Sequence, residues 1–152
     1  MKKILVFSAF LFLIQINASA QKTVVSPAKG SPERKILLDL IRAQVEKTLG
    51  IEVVFEVKTL KMQNGFAFGD LTPRQKDGRP IDYTKTLLDP DQLDAFDDWI
   101  CVLWLQDQQG NWSVRQSILG ATDLPYGCWW KEFKAPKTIF TYTEAAENCI
   151  SE

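Results

Sequence analysis

The chain contains no histidine in its 152 residues. This absence excludes Ser-His-Asp and Cys-His nucleophile systems and every zinc site that needs an imidazole ligand. Acid–base chemistry would have to use carboxylate, lysine or tyrosine side chains. No catalytic motif that works without histidine is present either. The sequence therefore assigns no catalytic residue, no cofactor and no metal ligand.

An excess of basic charge is also lacking. The chain has 18 Lys and Arg residues against 19 Asp and Glu residues. If Lys2 and Lys3 leave with a signal peptide, 16 basic residues remain and the formal charge becomes −3. Nucleic-acid binding normally shows as a basic patch or stripe, so neither a nucleic acid nor an anionic membrane surface is an expected partner.

The first 20 residues are typical of a cleavable export signal. Lys2 and Lys3 precede an apolar stretch from Ile4 to Ile16, and Ala18-Ser19-Ala20 fits the small-x-small cleavage rule. These 13 apolar-stretch residues are fewer than the about 20 that span a bilayer, which disfavours a retained anchor. We therefore expect a signal peptide at 1–20, a flexible leader at 21–30 and one domain at 31–152. That domain would work in the periplasm or outside the cell, without membrane insertion.

Three cysteines fall in the expected mature part. Two of them should pair in an oxidising compartment. Cys101 lies in the apolar run WICVLWL, where a thiol behaves as a small buried hydrophobe. We therefore predict a disulfide between Cys128 and Cys149. The alternative of a metal or redox site lacks the C-x-x-C spacing that such sites favour.

One amphipathic helix is the clearest predicted element. Ser31 is typical of an N-cap, Pro32 of a first helical position and Gly50 of a C-cap. Between them the apolar residues recur at helical spacing, at Leu37, Leu38, Ile41, Val45 and Leu49. Such a stripe must be buried against a partner. We expect the partner to be a strand in which Val53, Phe55 and Val57 alternate with polar residues.

Two hairpins are predicted after the helix. Asn64-Gly65 is a strong turn signal before a return strand that begins at Phe66. The apolar run from Trp99 to Gln106 predicts a buried strand, and Trp112 to Leu119 predicts its partner. The fold class expected is α+β, with an antiparallel sheet of two hairpins curled around the long N-terminal helix.

The remaining segments are predicted as loops and short helices. Thr72 to Pro80 is rich in turn residues and is predicted to be a loop. Asp89 is predicted to cap a short helix that ends near Asp98. Thr143 is predicted to cap a short C-terminal helix.

Several stretches together resemble a group of small exported bacterial proteins with no assigned activity. These stretches are LLDLIR and VEKTLG at 37–50, VVFEVKTL at 53–60, DGRPIDY at 77–83, GATDLPY at 120–126, and Trp130 with Lys134-Ala135-Pro136. The resemblance implies a periplasmic or secreted setting and transfers no catalytic residue. The expected roll is also similar in outline to cystatin-like and NTF2-like folds, which host binding proteins and enzymes alike.

An acidic series invites a calcium hypothesis, because calcium prefers carboxylate oxygens. Its members are Asp89, Asp91, Asp94, Asp97 and Asp98. The series lacks the spacing and closing glutamate of an EF-hand. The alternative, which we prefer, is a solvated helix start whose dipole favours acidic residues.

The segment PYGCWWKEFKAP suggests a ligand platform. Asp123, Tyr126, Trp129 and Trp130 are the candidate ligand-binding residues, because flat rings with polar edges are frequent anchors at interfaces. The alternative is that these rings cover the sheet as a second core cluster.

A third set of candidates could perform acid–base chemistry. Asp70, Asp82 and Asp123 lie near predicted loop ends, and Tyr83 and Tyr126 flank two of them. A carboxylate beside a tyrosine in a cleft can transfer protons. Aspartate is also common at turns for reasons of local hydrogen bonding, which is the alternative explanation.

These observations favour a small extracytoplasmic binding or interaction protein, engaging an envelope protein or a peptide through the aromatic segment. The main alternative is a histidine-free enzyme that uses Asp and Tyr residues in the mouth of the roll. A structural role in the envelope stays open, as does the oligomeric state. A perturbed carboxylate in a cleft would favour the enzyme, and a flat aromatic patch would favour a partner protein.

Overall fold

Helix α1 spans Pro32–Leu49 and has the predicted ends. The Ser31 side chain accepts a hydrogen bond from the backbone N–H of Arg34 at 3.3 Å. Gly50 adopts a left-handed conformation, φ 72°, and donates its N–H to the Glu46 carbonyl at 2.8 Å. The N-cap and the C-cap that the sequence predicts are therefore both confirmed.

Four strands form one open, curled antiparallel sheet, with neighbours in chain order. Their bounds are β1 Val54–Gln63, β2 Phe66–Arg74, β3 Ile100–Gln106 and β4 Trp112–Leu119. Asn64 and Gly65 both have positive φ, 52° and 77°, as a tight hairpin turn between β1 and β2 requires. Both predicted hairpins and the α+β class are confirmed.

This computed structural model describes residues 23–149, so the predicted signal peptide at 1–20 lies outside the described residues. Within the described range, no helix combines the length and apolarity needed to cross a membrane. Part of the predicted leader lies along the sheet edge. Val25 exchanges backbone hydrogen bonds with Met62 of β1, at 2.9 and 2.7 Å.

The apolar stripe of α1 is buried on one face of the sheet. Its four inward residues are at most 2% exposed, and Phe55 and Val57 pack against the same cluster, as predicted. Alternate residues of β3 complete this core at Ile100, Val102 and Trp104. The stripe residues are Leu37, Ile41, Val45 and Leu49.

The second face of the sheet is covered by the segment that follows β4. Cys101 and Leu103 of β3 point to this face, together with Phe68 of β2. The covering side chains come from a short helix α2, Trp129–Glu132, and from the residues around it. Strand β3 is thus buried on both faces, which explains why its sequence is a continuous apolar run.

Strand β2 continues to Arg74, so the prediction of a loop beginning at Thr72 is wrong. Thr72 lies opposite Glu56, and Pro73 lies opposite Phe55. Pairing of β2 with β3 stops at Leu71. Beyond that point β2 has only β1 as a neighbour, and a strand edge tolerates the missing N–H of proline.

The helix predicted after Asp89 is shorter and tighter than expected. Asp89 does act as its cap, accepting from the N–H of Asp91 at 3.0 Å. The helix is a 3-10 helix over Pro90–Ala95, and Phe96 is already extended. Where the chain leaves the helix, Phe96 packs against Tyr83, with ring centroids 4.6 Å apart.

No helix forms at Thr143 in the described part of the tail, which corrects the prediction there. The Glu144 N–H bonds to the Gly127 carbonyl at 2.8 Å. The Lys131 ammonium donates to the carbonyls of Ala146 and Cys149, at 3.0 and 2.6 Å. These tertiary bonds hold the tail against the α2 segment in a non-helical course.

Candidate functional site

The disulfide between Cys128 and Cys149 is present, as predicted, with Cα atoms 5.3 Å apart. Cys101 is a buried free thiol, also as predicted. The disulfide fixes the tail beside the aromatic segment. It therefore also fixes the positions of the four residues that the sequence proposes for ligand binding.

Those four residues do not form an exposed platform. Tyr126 and Trp129 are 1% and 4% exposed. Trp130 is half-buried, with the Lys137 ammonium 4.6 Å from its ring centre. Only Asp123 is exposed.

The buried rings instead pack on the sheet. The ring of Tyr126 lies 4.7 Å from Phe68, and it also contacts Phe140 and Trp129, each with centroids 6.3 Å apart. This packing matches the alternative interpretation, in which the aromatic segment covers the second face. A ligand arriving from solvent has no access to the faces of Tyr126 and Trp129.

A polar group lies at one end of this second face. The alternation of β2 places Phe68, Asp70 and Thr72 on the same side of the strand. Asp70 lies opposite Cys101 of β3. A carboxylate and a hydroxyl therefore follow directly after the apolar residues of the covered core.

Two oxygens in this group lack partners. Oδ1 of Asp70 and Oγ1 of Thr72 are buried, and neither accepts or donates a hydrogen bond within the described residues. Thr72 is 2% exposed. Buried polar atoms are almost always paired in folded proteins, so each exception calls for an explanation.

Electrostatic effects link Asp70 to other titratable groups, directly or through Cys101. Desolvation raises the pKa of Asp70, and the charge of Lys58 partly opposes that effect. Burial raises the pKa of Cys101 to about 12, with further contributions from Asp70 and Asp123. Burial likewise raises the pKa of Tyr126 to about 12, and Asp70 again contributes. We call Asp70, Thr72, Cys101, Asp123 and Tyr126 the Asp70 cluster.

Two exposed apolar side chains adjoin this cluster. Leu124 follows Asp123 directly and is 49% exposed. Tyr142 is 62% exposed and interacts electrostatically with the Tyr126 hydroxyl. The Asp70 cluster is therefore bordered by apolar surface as well as by acidic groups.

The chemistry of the Asp70 cluster is that of hydrogen-bond acceptance. The thiol of Cys101 stays protonated at neutral pH because its pKa is about 12, so it is not a nucleophile. The carboxylates of Asp70 and Asp123, which are not fully buried, can accept hydrogen bonds from a ligand. Across residues 23–149, no three Asp, Glu or Cys side chains converge in a way that could hold a metal ion.

Asp82 and Tyr83 do not form the acid–base pair that their adjacency suggests. The Tyr83 hydroxyl donates to Asp98 at 2.5 Å, and this bond together with burial raises its pKa. Arg74 also bonds to Asp98. Asp82 instead caps a 3-10 turn and pairs with Lys85 at 2.8 Å.

The acidic series of the calcium hypothesis is divided between different tasks. Asp89 caps the 3-10 helix, and Asp98 binds Arg74 and Tyr83. Asp91, Asp94 and Asp97 are exposed. Capping of the backbone therefore explains Asp89, and the bonds to Arg74 and Tyr83 explain Asp98, without a calcium ion.

The sequence singles out Asp70, Asp123 and Tyr126, but neither Thr72 nor the proximity of Cys101. A signal was present in the run FAFGDLT. Strict alternation puts Asp70 and Thr72 on the same face as Phe66 and Phe68. Polar residues on an otherwise apolar strand face indicate either a buried network or a site.

Comparison with protein-family models, with curated proteins and with solved structures finds no match to this chain.

Proposed function

We propose that this protein is a small extracytoplasmic binding protein that engages a polypeptide partner at the Asp70 cluster. The observation that carries the proposal is the pair of buried, unpartnered oxygens on Asp70 and Thr72. Folding leaves both desolvated without compensation, which costs stability. Asp70 as a whole is only half-buried, so a partner that donates hydrogen bonds to its accessible side would recover part of that free energy on binding.

The surroundings favour binding over catalysis. Leu124, which follows Asp123 in the chain, and Tyr142, which interacts with Tyr126, supply exposed apolar surface at the border of the cluster, as the contact surface of a partner does. The nearby thiol is protonated at neutral pH, and the described residues hold no metal-binding cluster. The groups present can orient and hold a ligand, whereas nucleophilic attack has no supporting residue here.

The extracytoplasmic location is part of the same proposal. A disulfide joins Cys128 to Cys149, and such bonds persist mainly in oxidising compartments. The charged and apolar pattern of residues 1–20 agrees with export. N-terminal sequencing of the protein recovered from the envelope should begin at or near Gln21, whereas an intact Met1 end would refute export with cleavage.

The binding function can be tested by cross-linking and affinity capture from the envelope fraction. Tagged mature protein should retain a polypeptide partner that Leu124→Ala loses, because that side chain borders the Asp70 cluster. Leu87→Ala is the matched control, since Leu87 is 74% exposed but lies beside Gly50 at the end of α1. Capture that is equal for both variants, or no specific capture at all, would refute the proposal.

A second candidate function is a histidine-free enzyme in which Asp70 acts as a general base beside Tyr126. The raised pKa of Asp70 is the observation in its favour, because catalytic carboxylates are commonly tuned in this way. Turnover of esters, glycosides or peptides that Asp70→Asn abolishes would support this candidate. The absence of turnover across these substrates, with partner capture intact, would support the binding protein.

A further inference from the structure

A groove of about 260 Å³ opens between the first half of α1 and strand β1. It shares no residue with the Asp70 cluster. Its apolar lining consists of Leu38, Phe55 and Val57, which pack against the core of the α1 face and remain half-buried. Its charged lining comes from the residues before α1 and from α1 itself. These charged residues are Lys29, Arg34, Lys35, Asp39 and Arg42.

Positive charge is concentrated in this groove. Four basic side chains and one acidic side chain line it, a net of three positive charges, whereas the whole chain has a formal charge of −1. Asp39 is already bonded to both Lys35 and Arg42, which hold its pKa below the usual value. Lys29 and Arg34 form no ion pair with any residue in the range 23–149. The groove therefore fits a ligand that carries negative charge.

The length of the groove favours a chain over a compact anion. Arg34, Leu38 and Arg42 follow one another at a spacing of four residues, so they lie along the same side of α1. Eight residues of helix rise about 12 Å, which about four residues of extended chain would cover. A phosphate ion would contact one end of this row and leave the rest of it unused.

The sheet edge beside the groove favours a polypeptide over a lipid. β1 is an edge strand, and such a strand presents backbone N–H and C=O groups on its outer side. Val25 uses these groups at Met62, which shows that the edge accepts an antiparallel chain. No such bridge lies beside Phe55 or Val57 within the described residues. The main chain of an extended peptide can pair with an edge of this kind, whereas a lipid headgroup cannot.

We propose that this groove is a second binding site, which takes an extended acidic peptide with alternating apolar side chains. Successive side chains of an extended chain point to opposite sides. One set then packs on Phe55 and Val57, and the carboxylates on the other set meet Lys29 and Arg34. The site goes beyond the proposed function and has its own residues, so its failure would leave the test at Leu124 unaffected.

The probe is a pentapeptide with blocked ends, with glutamate at the first, third and fifth positions and valine between them. An NMR titration of the purified protein measures weak affinity and locates the contact. The largest shifts should fall at Arg34, Leu38 and Val57, and none should fall at Leu124. Affinity should also decrease between about 50 and 500 mM NaCl, because salt screens exposed charges.

Two control peptides separate charge from apolar contact on the unaltered protein. Glutamine in place of glutamate keeps the shape and removes three charges, and it should weaken binding at least about tenfold. Serine in place of valine keeps the charges and removes apolar area, and it should weaken binding about threefold or more. Because both comparisons use the wild-type protein, they decide the inference whatever a substitution does to the fold.

Substitutions then identify the cations. Lys29→Gln and Arg34→Gln should each weaken binding of the glutamate peptide about threefold, and neither removes an ion pair from the described structure. Lys47→Gln is the matched control, since Lys47 is exposed in the last turn of α1 and does not line the groove. Its affinity should stay within about twofold of wild type.

Several outcomes would overturn the inference. Equal binding of the glutamate and glutamine peptides, or no binding of either, would mean that the positive charge does not select the ligand. An equal loss for Lys47→Gln would reduce the effect to net charge, and shifts around Leu124 would place the peptide elsewhere. Inorganic phosphate that causes the same shifts at the same concentration would indicate a small-anion site. Binding to phosphatidylglycerol vesicles without binding to the peptide would indicate a membrane surface.

Discussion

Asp70 on β2 lies directly opposite Cys101 on β3, so a carboxylate and a thiol share the polar end of the second sheet face. The thiol is fully buried and donates weakly to the Ile118 carbonyl at 3.8 Å. Burial raises the pKa of both groups, and the charge of Asp70 raises the pKa of Cys101 further. Both groups therefore favour their neutral forms more than they would in water.

Cys101 should not react with thiol reagents in the native protein. Its pKa is about 12 and its side chain is fully buried, so almost no thiolate is present or accessible at pH 8. Ellman's reagent should label no thiol before unfolding and one thiol after it, without any reductant. Rapid labelling of the folded protein would mean that the second face opens readily to solvent.

Replacing Asp70 by Asn should stabilise the fold at pH 7. Desolvation raises the folded pKa of Asp70, so the ionised side chain destabilises the native state. That penalty appears as pH rises from the unfolded pKa of about 3.9 through the folded pKa, and it is absent below both. Urea denaturation should therefore show Asp70→Asn more stable than wild type at pH 7 and nearly equal near pH 3.

The exposed residue Asp94 provides the control for that measurement. Asp94→Asn should change the free energy of unfolding little at either pH. A stabilising substitution that also weakens binding is the expected signature of a site that is strained for its function. A destabilised Asp70→Asn protein would show instead that the carboxylate has a structural partner.

The sequence allowed the fold to be predicted where periodicity and capping agree. Ser31, Pro32 and Gly50 mark both ends of α1, and Asn64-Gly65 marks a hairpin, because each depends on local backbone chemistry. The tail around Thr143 was predicted wrongly because tertiary bonds from Lys131 decide its course. Long-range contacts of that kind leave no signal in local sequence.

The candidate site was predictable only in part for the same reason. Asp123 and Tyr126 are close in the chain, so their proximity could be read directly. The approach of Asp70 depends on the register between β2 and β3, which turn residues alone do not determine. The burial of Tyr126 and Trp129 follows from the path of the covering segment, which only the folded chain reveals.

Ile41→Ala should be strongly destabilising. Ile41 is fully buried in the middle of the apolar stripe of α1, and such a truncation costs about 2–5 kcal/mol. Ile36→Ala is the matched control on the same helix, because Ile36 is 47% exposed. Chemical denaturation should show a much smaller loss for it, and similar losses for the two variants would contradict the packing of α1 on the sheet.

Removing the disulfide should loosen the tail before the sheet. The bond joins residues 21 positions apart, so the chain-entropy model predicts a loss of about 3 kcal/mol. In a Cys128→Ser, Cys149→Ser double variant, hydrogen exchange should accelerate first around Glu144 to Asn148. Protection in β3 should persist, and its early loss would mean that the sheet depends on the covering segment.

Gly120→Ala is the strongest single-residue test of the β2–β3 connection, because Gly120, which follows β4, lies against Phe96 of that connection. Gly120 has φ 82°, and a Cβ there would come within 2.2 Å of the Phe96 ring. Gly78→Ala is the matched control, because Gly78 has φ 85° and no atom within 4 Å of a new Cβ. The control should lose about 1–2 kcal/mol from the left-handed backbone alone.

Gly120→Ala should lose that amount and a further ~1–3 kcal/mol from overpacking against Phe96. The ring cannot move away freely, since it packs on Tyr83, whose hydroxyl is bonded to Asp98. Truncation by Phe96→Ala should therefore rescue part of the loss in a double-mutant cycle. Equal losses for Gly120→Ala and Gly78→Ala, with no coupling to Phe96, would show that the ring is not seated over Gly120 and that this connection is looser than its contacts indicate.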